Sequence, residues 1–496
     1  MIRRFLLPSL LAFAMILSSC EEPQPLPGDG VVPPEDEVTP PENEVPQPMP
    51  SVNDPGVAYV WDESVIPEIT IHMTKEEWNK LLKRYDEFNN NVDYFHADFT
   101  YKKGDEVHFV EDGAVRLRGN TSPRRPEGSY GQTHDSSNPD WHHCHFGINF
   151  RKYHKDSDHT INGIRKVNLK WFKDDPCYVR ELYCYDLFRR YGIWTAAHDV
   201  YCRLWLDVEG DAKPAYFGVY EMIEPIDDKY VERRVDGMFG SDEGFLWKCV
   251  WGEGGQADLR TDSGNAVPYW KMNWDQDNGV NYTYEFKGDE EDFSAAKIQL
   301  GDFMQKLNGK SDDSFYKWIK EVCDVKFLLK TYAVNVALGM WDDHWNYGNN
   351  FYLYFTTTDQ YDYKVYFIPY DYDNTLGTSL NCGVMTDSGR QDPYNWGDTG
   401  LLMERLMKFY EFKQIYKDAL LELTDPANDL FHMDASVARI KAWQEKIAPY
   451  VSNDTGEDMS IYDKPASWGN HGEYRLMDTG YNNFFKVKTS TINKMK

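Results

Sequence analysis

Residues Trp341 to Asn350 read Trp-Asp-Asp-His-Trp-Asn-Tyr-Gly-Asn-Asn. They place two carboxylates and three amides in a polar loop after a helical run. An apolar, strand-like stretch follows and ends in Asp371-Tyr372-Asp373-Asn374. Carboxylate and amide oxygens are hard ligands that suit magnesium or manganese. Metal held by carboxylates, cations over phosphates and an aspartate that orients a hydroxyl are the parts of phosphoryl transfer. A plainer reading stands beside it. Asp371 and Asp373 then cap a turn, and Asp342-Asp343 is a solvated loop.

Cations for the phosphates have candidates upstream. Arg118-Gly119-Asn120 is a strand end running into a turn, where glycine lets backbone N–H groups approach an anion. Lys170 or Lys248 could reach the phosphates, and Glu181 could orient the lysine. The alternative is that Lys170, Arg180 and Glu181 are ordinary surface charges.

The elements that must position these residues follow from periodicity. Pro67 to Met73 alternates as a strand, and Thr74-Lys75-Glu76-Glu77 is a capping box that opens a helix. Strands are predicted over Asp93–Thr100, Val107–Val110, His145–Phe150, Lys166–Lys170, Val200–Leu206 and Phe217–Ile223. Together they form a mostly antiparallel sheet, to which Gly244–Cys249 adds one more strand. A helix is predicted from Asp175-Pro176 to Gly192, with proline at its first position. Helical periods then run over Phe293–Leu307, Phe315–Met340, Leu401–Leu423 and Ala435–Tyr450. Asn350–Phe355 and Val365–Tyr370 read as a buried hairpin. The predicted class is α+β, with a sheet-rich N-lobe (about 57–255), a helix-rich C-lobe (about 285–496) and a cleft between them.

The chain has 496 residues, 41% hydrophobic and 15% aromatic, enough for a large core. Its net charge is −28, from 53 basic and 81 acidic residues. That surface disfavours nucleic acid and repels ATP at long range, so a nucleotide site must supply its own cations.

The first residues read as an export signal. Arg3 and Arg4 precede the apolar run Phe5–Leu17, which is too short to span a bilayer with margin. Leu17-Ser18-Ser19-Cys20 resembles a bacterial lipobox. Residues 1–19 are then a lipoprotein signal peptide, and Cys20 carries the lipid. The expected location is the outer membrane or cell surface of a Gram-negative bacterium. Residues 20–56 are rich in proline and acid, and Glu21–Gly56 contains no Lys, Arg or aromatic residue. That stretch reads as a disordered tether. The folded body is expected over 57–496.

Seven cysteines remain after Cys20: Cys144, Cys177, Cys184, Cys202, Cys249, Cys323 and Cys382. The odd number argues against a complete disulfide set, and most are expected to be buried small hydrophobes. Cys177 and Cys184 are placed on one face of the predicted helix. Trp141, Trp171, Trp251, Trp270, Trp274, Trp396 and Trp468 could stack on sugars, but core packing is the ordinary fate of such rings. No Gly-x-Ser-x-Gly, His-Glu-x-x-His or Walker loop is present.

Several ordered segments resemble one family. Arg116 to Ser122 is similar to the pattern RLRGNSS. Val167-Asn168-Leu169-Lys170, then Asp174 and Arg180-Glu181-Leu182, resembles LNLK…D…RE-L. Gly218 to Asp227 resembles GVYLLVEQID, and Gly244 to Lys248 resembles G-LYK. Asn349 to Tyr354 and Phe367 to Asp373 resemble N-YLY and FIPWDLD. In order, over roughly Ala58 to Phe485, they resemble the spore-coat-protein-H-type (CotH) kinases. The resemblance implies an atypical protein-kinase-like two-lobed fold that transfers phosphate from ATP, with magnesium or manganese, to Ser or Thr of secreted or surface proteins. On it Asp343 is the expected hydroxyl-orienting base, with Asp342 the alternate. Asp371 is the main metal ligand with Asp373 beside it, and Asn349 or Asn350 the metal-side amide. Arg118, Gly119 and Asn120 cover the phosphates, with Lys170 or Lys248 reaching them and Glu181 orienting the lysine.

One stretch departs from the pattern. A lysine-rich run is expected where His142-His143-Cys144-His145 stands, preceded by the insert Pro123–Trp141. Neutral histidine cannot replace a lysine charge. A catalytically inactive kinase-like surface scaffold or adhesin is therefore the alternative function. His143 and His145 share a strand face, but two ligands fall short of a structural zinc site.

Overall fold

The computed structural model describes residues 52–89, 93–119, 123–154, 159–276, 278–379, 387–466 and 473–496. The signal, most of the tether, Cys20, Asn120, Cys382 and Trp468 lie outside the described residues.

Alternating patterns build the N-terminal half. A short helix, α1 (Pro55–Val60), leads into β1 (Glu68–Met73), which buries Ile69, Ile71 and Met73 on one face. Helix α2 (Lys75–Glu87) follows. Its N-cap Thr74 hydroxyl accepts from Glu77 N–H, and Trp78, Leu81 and Leu82 enter the same core. Then come β2 (Phe95–Lys103), β3 (Glu106–Arg118), β4 (His145–Asn149), β5 (Lys166–Lys170), helix α3 (Arg180–Arg190), β6 (Asp199–Val208), β7 (Ala215–Ile223) and helix α4 (Asp228–Glu232). Among the described residues these seven strands close into a barrel in the order β1-β2-β3-β4-β5-β7-β6. Neighbours are antiparallel except at the closure, where β6 runs parallel to β1 from Glu68 beside Arg203 to Met73 beside Val208. Phe99, Val115, Phe146, Ile148, Leu169, Leu204 and Met222 fill the interior.

The remaining strands form a second sheet. They are β8 (Phe245–Cys249), β9 (Met272–Trp274), β10 (Tyr284–Phe286), β11 (Phe351–Phe355) and β12 (Val365–Pro369), in the order β12-β11-β8-β10-β9. Around it pack α5 (Phe293–Gly309), α6 (Asp312–Val322), α7 (Val325–Leu338), α8 (His344–Tyr347), α9 (Leu401–Leu406), α10 (Tyr410–Leu423), α11 (Met433–Ile447) and α12 (Phe484–Ile492). Trp247, Phe303, Leu329, Trp396, Leu420 and Phe484 belong to their common core. Helix α7 is buried along most of its length and stops at Gly339, whose φ of +73° is the left-handed C-terminal stop that glycine suits. Among the described residues no helix is long and apolar enough to cross a membrane.

The α+β class and the hairpin β11–β12 match the sequence reading. Four expectations need correction. The first sheet is a closed barrel, because β1 finds β6 across more than 130 residues. Gly244–Cys249 does not join it. As β8 it pairs with β11, Lys248 opposite Tyr352. The helix after Pro176 begins at Arg180, because Tyr178 takes a left-handed φ of +62° and the Asp175 carboxylate collects the N–H groups of Val179 and Arg180 at 2.8 Å. Cys177 therefore precedes the helix that carries Cys184. The long helical runs break at Cys323-Asp324 and after Leu406, where Asp324 caps α7 anew.

Cys144, Cys177, Cys184, Cys202, Cys249 and Cys323 are free and buried. Trp141 and Trp396 are core residues, whereas Trp251 and Trp270 are exposed.

Candidate active site

Two pieces of backbone strain mark the open end of the β11–β12 hairpin. Asn350, just before β11, has φ +56°, and Asp371, two residues past β12, has φ +61°. Phe351 pairs with Pro369, so the two left-handed residues leave the sheet at the same end. Asn and Asp tolerate this conformation better than other non-glycine residues, and it persists where the surroundings enforce it.

The barrel supplies the cation. Lys170 is the last residue of β5, and its Nζ bonds both Glu181 Oε2 and Asp371 Oδ1, the latter at 2.7 Å. Asp373 Oδ2 lies 3.9 Å away. Glu181 stands in the first turn of α3, buried, and its Oε1 accepts from Tyr372 N–H at 3.2 Å. One lysine thus joins the barrel, α3 and the end of the hairpin. Burial opposes its charge, but Asp371 and Glu181 hold its pKa well above the usual value. Burial raises Glu181, with Lys170 acting against it. Asp371 also meets burial, yet Lys170, Lys248 and Arg118 bring its pKa below the usual range. Burial and the Asp371 charge raise Asp373 well above it, although solvent reaches 52% of its side chain.

The two adjacent aspartates point apart. Asp343 is 3% exposed and caps α8, its Oδ1 accepting from Asn346 N–H at 2.8 Å and its Oδ2 from Asn335 at 2.6 Å. Asn335 in turn accepts from Tyr372 Oη, which completes a buried network beneath the site. Asp342 is half-buried, within reach of the Asp371 charge. Its Oδ1 accepts from Asn349 at 2.8 Å and its Oδ2 from Asn350 at 3.1 Å. The Asn349 side-chain oxygen is taken by Trp251 N–H at 2.7 Å. Among the described residues nothing donates to the Asn350 side-chain oxygen.

Burial raises Asp342 to about 6 and Asp343 to about 7, against the amides that bond them. Unfolded aspartate titrates near 3.9. The folded chain therefore holds extra protons from about pH 4 upward, and that share of its stability fades as pH rises through 6 to 7. Asp342→Asn is expected to flatten the fall in unfolding midpoint between pH 5 and pH 7.5 in metal-free buffer; an unchanged slope would contradict the assignment.

Other candidates are less engaged. Lys248 on β8 donates to Asn281 Oδ1 at 3.4 Å and lies 5.9 Å from the Tyr370 ring. Arg118 bonds the Asn168 side chain. Gly119 has φ +128°, a backbone that only glycine adopts easily. Of the histidine stretch only His145 stands beside the site, opposite Arg118 and near Lys170. His143 Nε2 bonds the Phe217 carbonyl at 2.8 Å, His145 Nδ1 accepts from Trp171 N–H, and Cys144 belongs to the barrel core. Burial, helped by Lys170 and Arg118, lowers His145 to about 3, so it is neutral at pH 7.

A recess opens beside Lys170. Its lining mixes charged residues, Arg118, Lys170, Glu181, Glu224 and Asp371, with apolar ones, Ala197, Ile223 and Ile226. A wider concavity lies elsewhere, beside α2, where Lys80, Lys83 and Arg84 are already paired with Glu76, Glu77 and Glu87.

A lysine locked to a helix glutamate beside strand-end aspartates is the ion-pair arrangement of protein kinases. The sequence model of the family described as CotH kinase protein matches residues 115–478. The chain belongs to the CotH kinase protein family. The match runs from β3 through the hairpin and stops just before α12, so it spans the residues of the site. No curated protein matches the chain. Membership in the CotH kinase family points to kinase-like activity.

Proposed function

We propose that the chain transfers the terminal phosphoryl group of ATP to a serine or threonine hydroxyl of an exported or surface protein. The observation that carries this reading is the position of Lys170, bonded to Glu181 and Asp371 beside a recess that has both cationic and apolar lining residues. The cations suit phosphates and the apolar residues suit a base. The barrel and the helical half then serve as the two lobes of a kinase-like cleft.

The donor set fits a divalent cation. Glu181, Asp371 and Asp373 crowd around Lys170 with the Asp342 charge near Asp373, and Asp373 has no hydrogen-bond donor among the described residues. That surplus of negative charge favours an added cation. Among the described residues no three His, Cys, Asp or Glu side chains already converge on a metal position, and Lys170 lies against Asp371. Asp371, Asp373 and the Asn350 oxygen would hold magnesium or manganese, which would neutralise phosphate charge.

Lys170 would meet phosphate oxygens while Glu181 keeps it in place, and Arg118 and Gly119 would close over them. Asp342, half-buried and near Asp371 and Asp373, would accept the hydroxyl proton. Asp343, committed to α8 and Asn335, is a positioning residue. This reverses the order of the two expected from sequence. On this reading the phosphate lysine is Lys170 rather than a residue of the His142–His145 stretch, so the missing lysine-rich run does not by itself speak for an inactive scaffold. Export, the lipid on Cys20 and the tether belong to the same reading, with ATP and a surface protein as partners.

Incubation with γ-labelled ATP and manganese or magnesium tests it. Label on Ser or Thr of the chain or of a co-exported protein, absent with Asp342→Asn, is the expected result. No label with either metal, from protein shown to bind ATP, would leave binding without transfer and overturn the reading.

A further inference from the structure

Glu221 lies on β7, and Lys170 on β5 is its paired residue across the barrel wall. Both side chains leave the outer face beneath α3. On that face Tyr201, Val219 and Ile223 join the helical core, while Tyr220 and Met222 point into the barrel. Glu221 is 2% exposed, and its Oε1 has no donor. Asp199 on β6 pairs with Ile223, so it stands two places along the same face. It is 5% exposed, Arg189 donates to its Oδ1 at 2.7 Å, and its Oδ2 is bare.

Glu221 and Asp199 lie within hydrogen-bond reach of each other. Ionised carboxylates only accept, so that bond closes only with a proton between them. Charge counting agrees. Lys170 and Arg189 face the cluster as cations and Glu181 as an anion, with Asp186 near Asp199 on the α3 side. Cys184, Tyr185 and Tyr201 are the neutral titratable neighbours. A fully ionised pair would add an unmatched charge directly behind Lys170 and compete with Glu181 for its ammonium.

We propose that Glu221 and Asp199 share one proton behind the Lys170–Glu181 pair, and that this proton keeps Lys170 turned toward Glu181 and the recess, making Glu221 a positioning residue. The inference rests on the nucleotide reading of that recess. Burial and the charges of Glu181 and Asp199 raise Glu221 well above the carboxylate range, and burial raises Asp199 to about 7. A raised carboxyl keeps its proton at low pH and gives it up as pH rises, so nucleotide affinity is lost on the alkaline side.

The test is the affinity of the full chain for ATP with magnesium from pH 7 to pH 9. Wild type is expected to weaken more than tenfold, and Glu221→Gln, permanently neutral, less than threefold. Asp199→Asn lets Glu221 ionise more easily, so its fall comes at lower pH than in wild type. A wild-type affinity that is flat with pH, or an identical fall in all three proteins, overturns the proposal. Should Glu221→Gln not fold, the direction of the Asp199→Asn shift decides alone. Wild type that binds no ATP at pH 7 overturns the nucleotide reading instead. The unfolding midpoint against pH then decides whether the proton is shared: a slope unchanged by either substitution contradicts it.

Discussion

Lys170→Met is expected to lower stability by about 3 kcal/mol and to abolish nucleotide binding. The stability loss follows from what remains. Glu181 is 4% exposed and has been brought out of water on the strength of Lys170. Removing one partner of a buried pair leaves an uncompensated charge, which costs more than the pair contributes. Asp371 would lose its closest cation at the same time. Urea unfolding of Lys170→Met, Glu181→Leu and the double variant separates the two effects. The double variant is expected to recover most of the stability, because neither charge is then stranded. Its nucleotide binding is expected to stay lost. A double variant as unstable as the sum of the singles would show that the two residues do not act as a pair.

The second large effect is on turnover. Asp342→Asn is expected to reduce phosphoryl transfer by about 10²- to 10⁴-fold, the usual range for loss of a positioned proton acceptor. Its amide oxygen can still accept from Asn349, while Asn350 has to turn its own amide to meet the new NH2, so the fold should change little. Asp343→Ala is expected to behave in the opposite way. It uncaps α8 and strands the Asn335 amide, costing about 1–2 kcal/mol of stability. Single-turnover rates and urea midpoints for both variants check this. Transfer lost through Asp343 with normal stability, and retained with Asp342→Asn, would exchange their roles.

Much of the local structure was legible in the sequence, because it depends on neighbours along the chain. The Thr74 cap, the alternation in β1 and the apolar hairpin at 351–369 are signals of that kind. Lys170, Glu181 and Asp371 could be singled out by residue type and by resemblance, and the fold brings them into contact across 201 residues. Barrel closure was not legible, since the parallel β1–β6 pairing leaves no mark in either strand's own pattern. The same holds for β8, whose apolar run Phe245–Trp247 suits either sheet. Which of Asp342 and Asp343 is buried against Asn335 was not legible either. Neighbouring residues of one type differ only in which faces Asn335, and that is decided by the turn leaving α7. Glu221 and Asp199 were hidden for a related reason. Each sits in a strand where alternation gives its face but not the helix that covers it.

The most direct measurement is thermal unfolding of the protein with ATP and magnesium or manganese, beside Asp371→Ala. At a hundredfold excess over the dissociation constant, binding should stabilise the fold by about 2.7 kcal/mol. The expected result is a metal-dependent rise in melting temperature for wild type and none for Asp371→Ala. No rise for wild type at millimolar ATP with either metal, or an equal rise in both proteins, would contradict a nucleotide site built on Lys170 and Asp371.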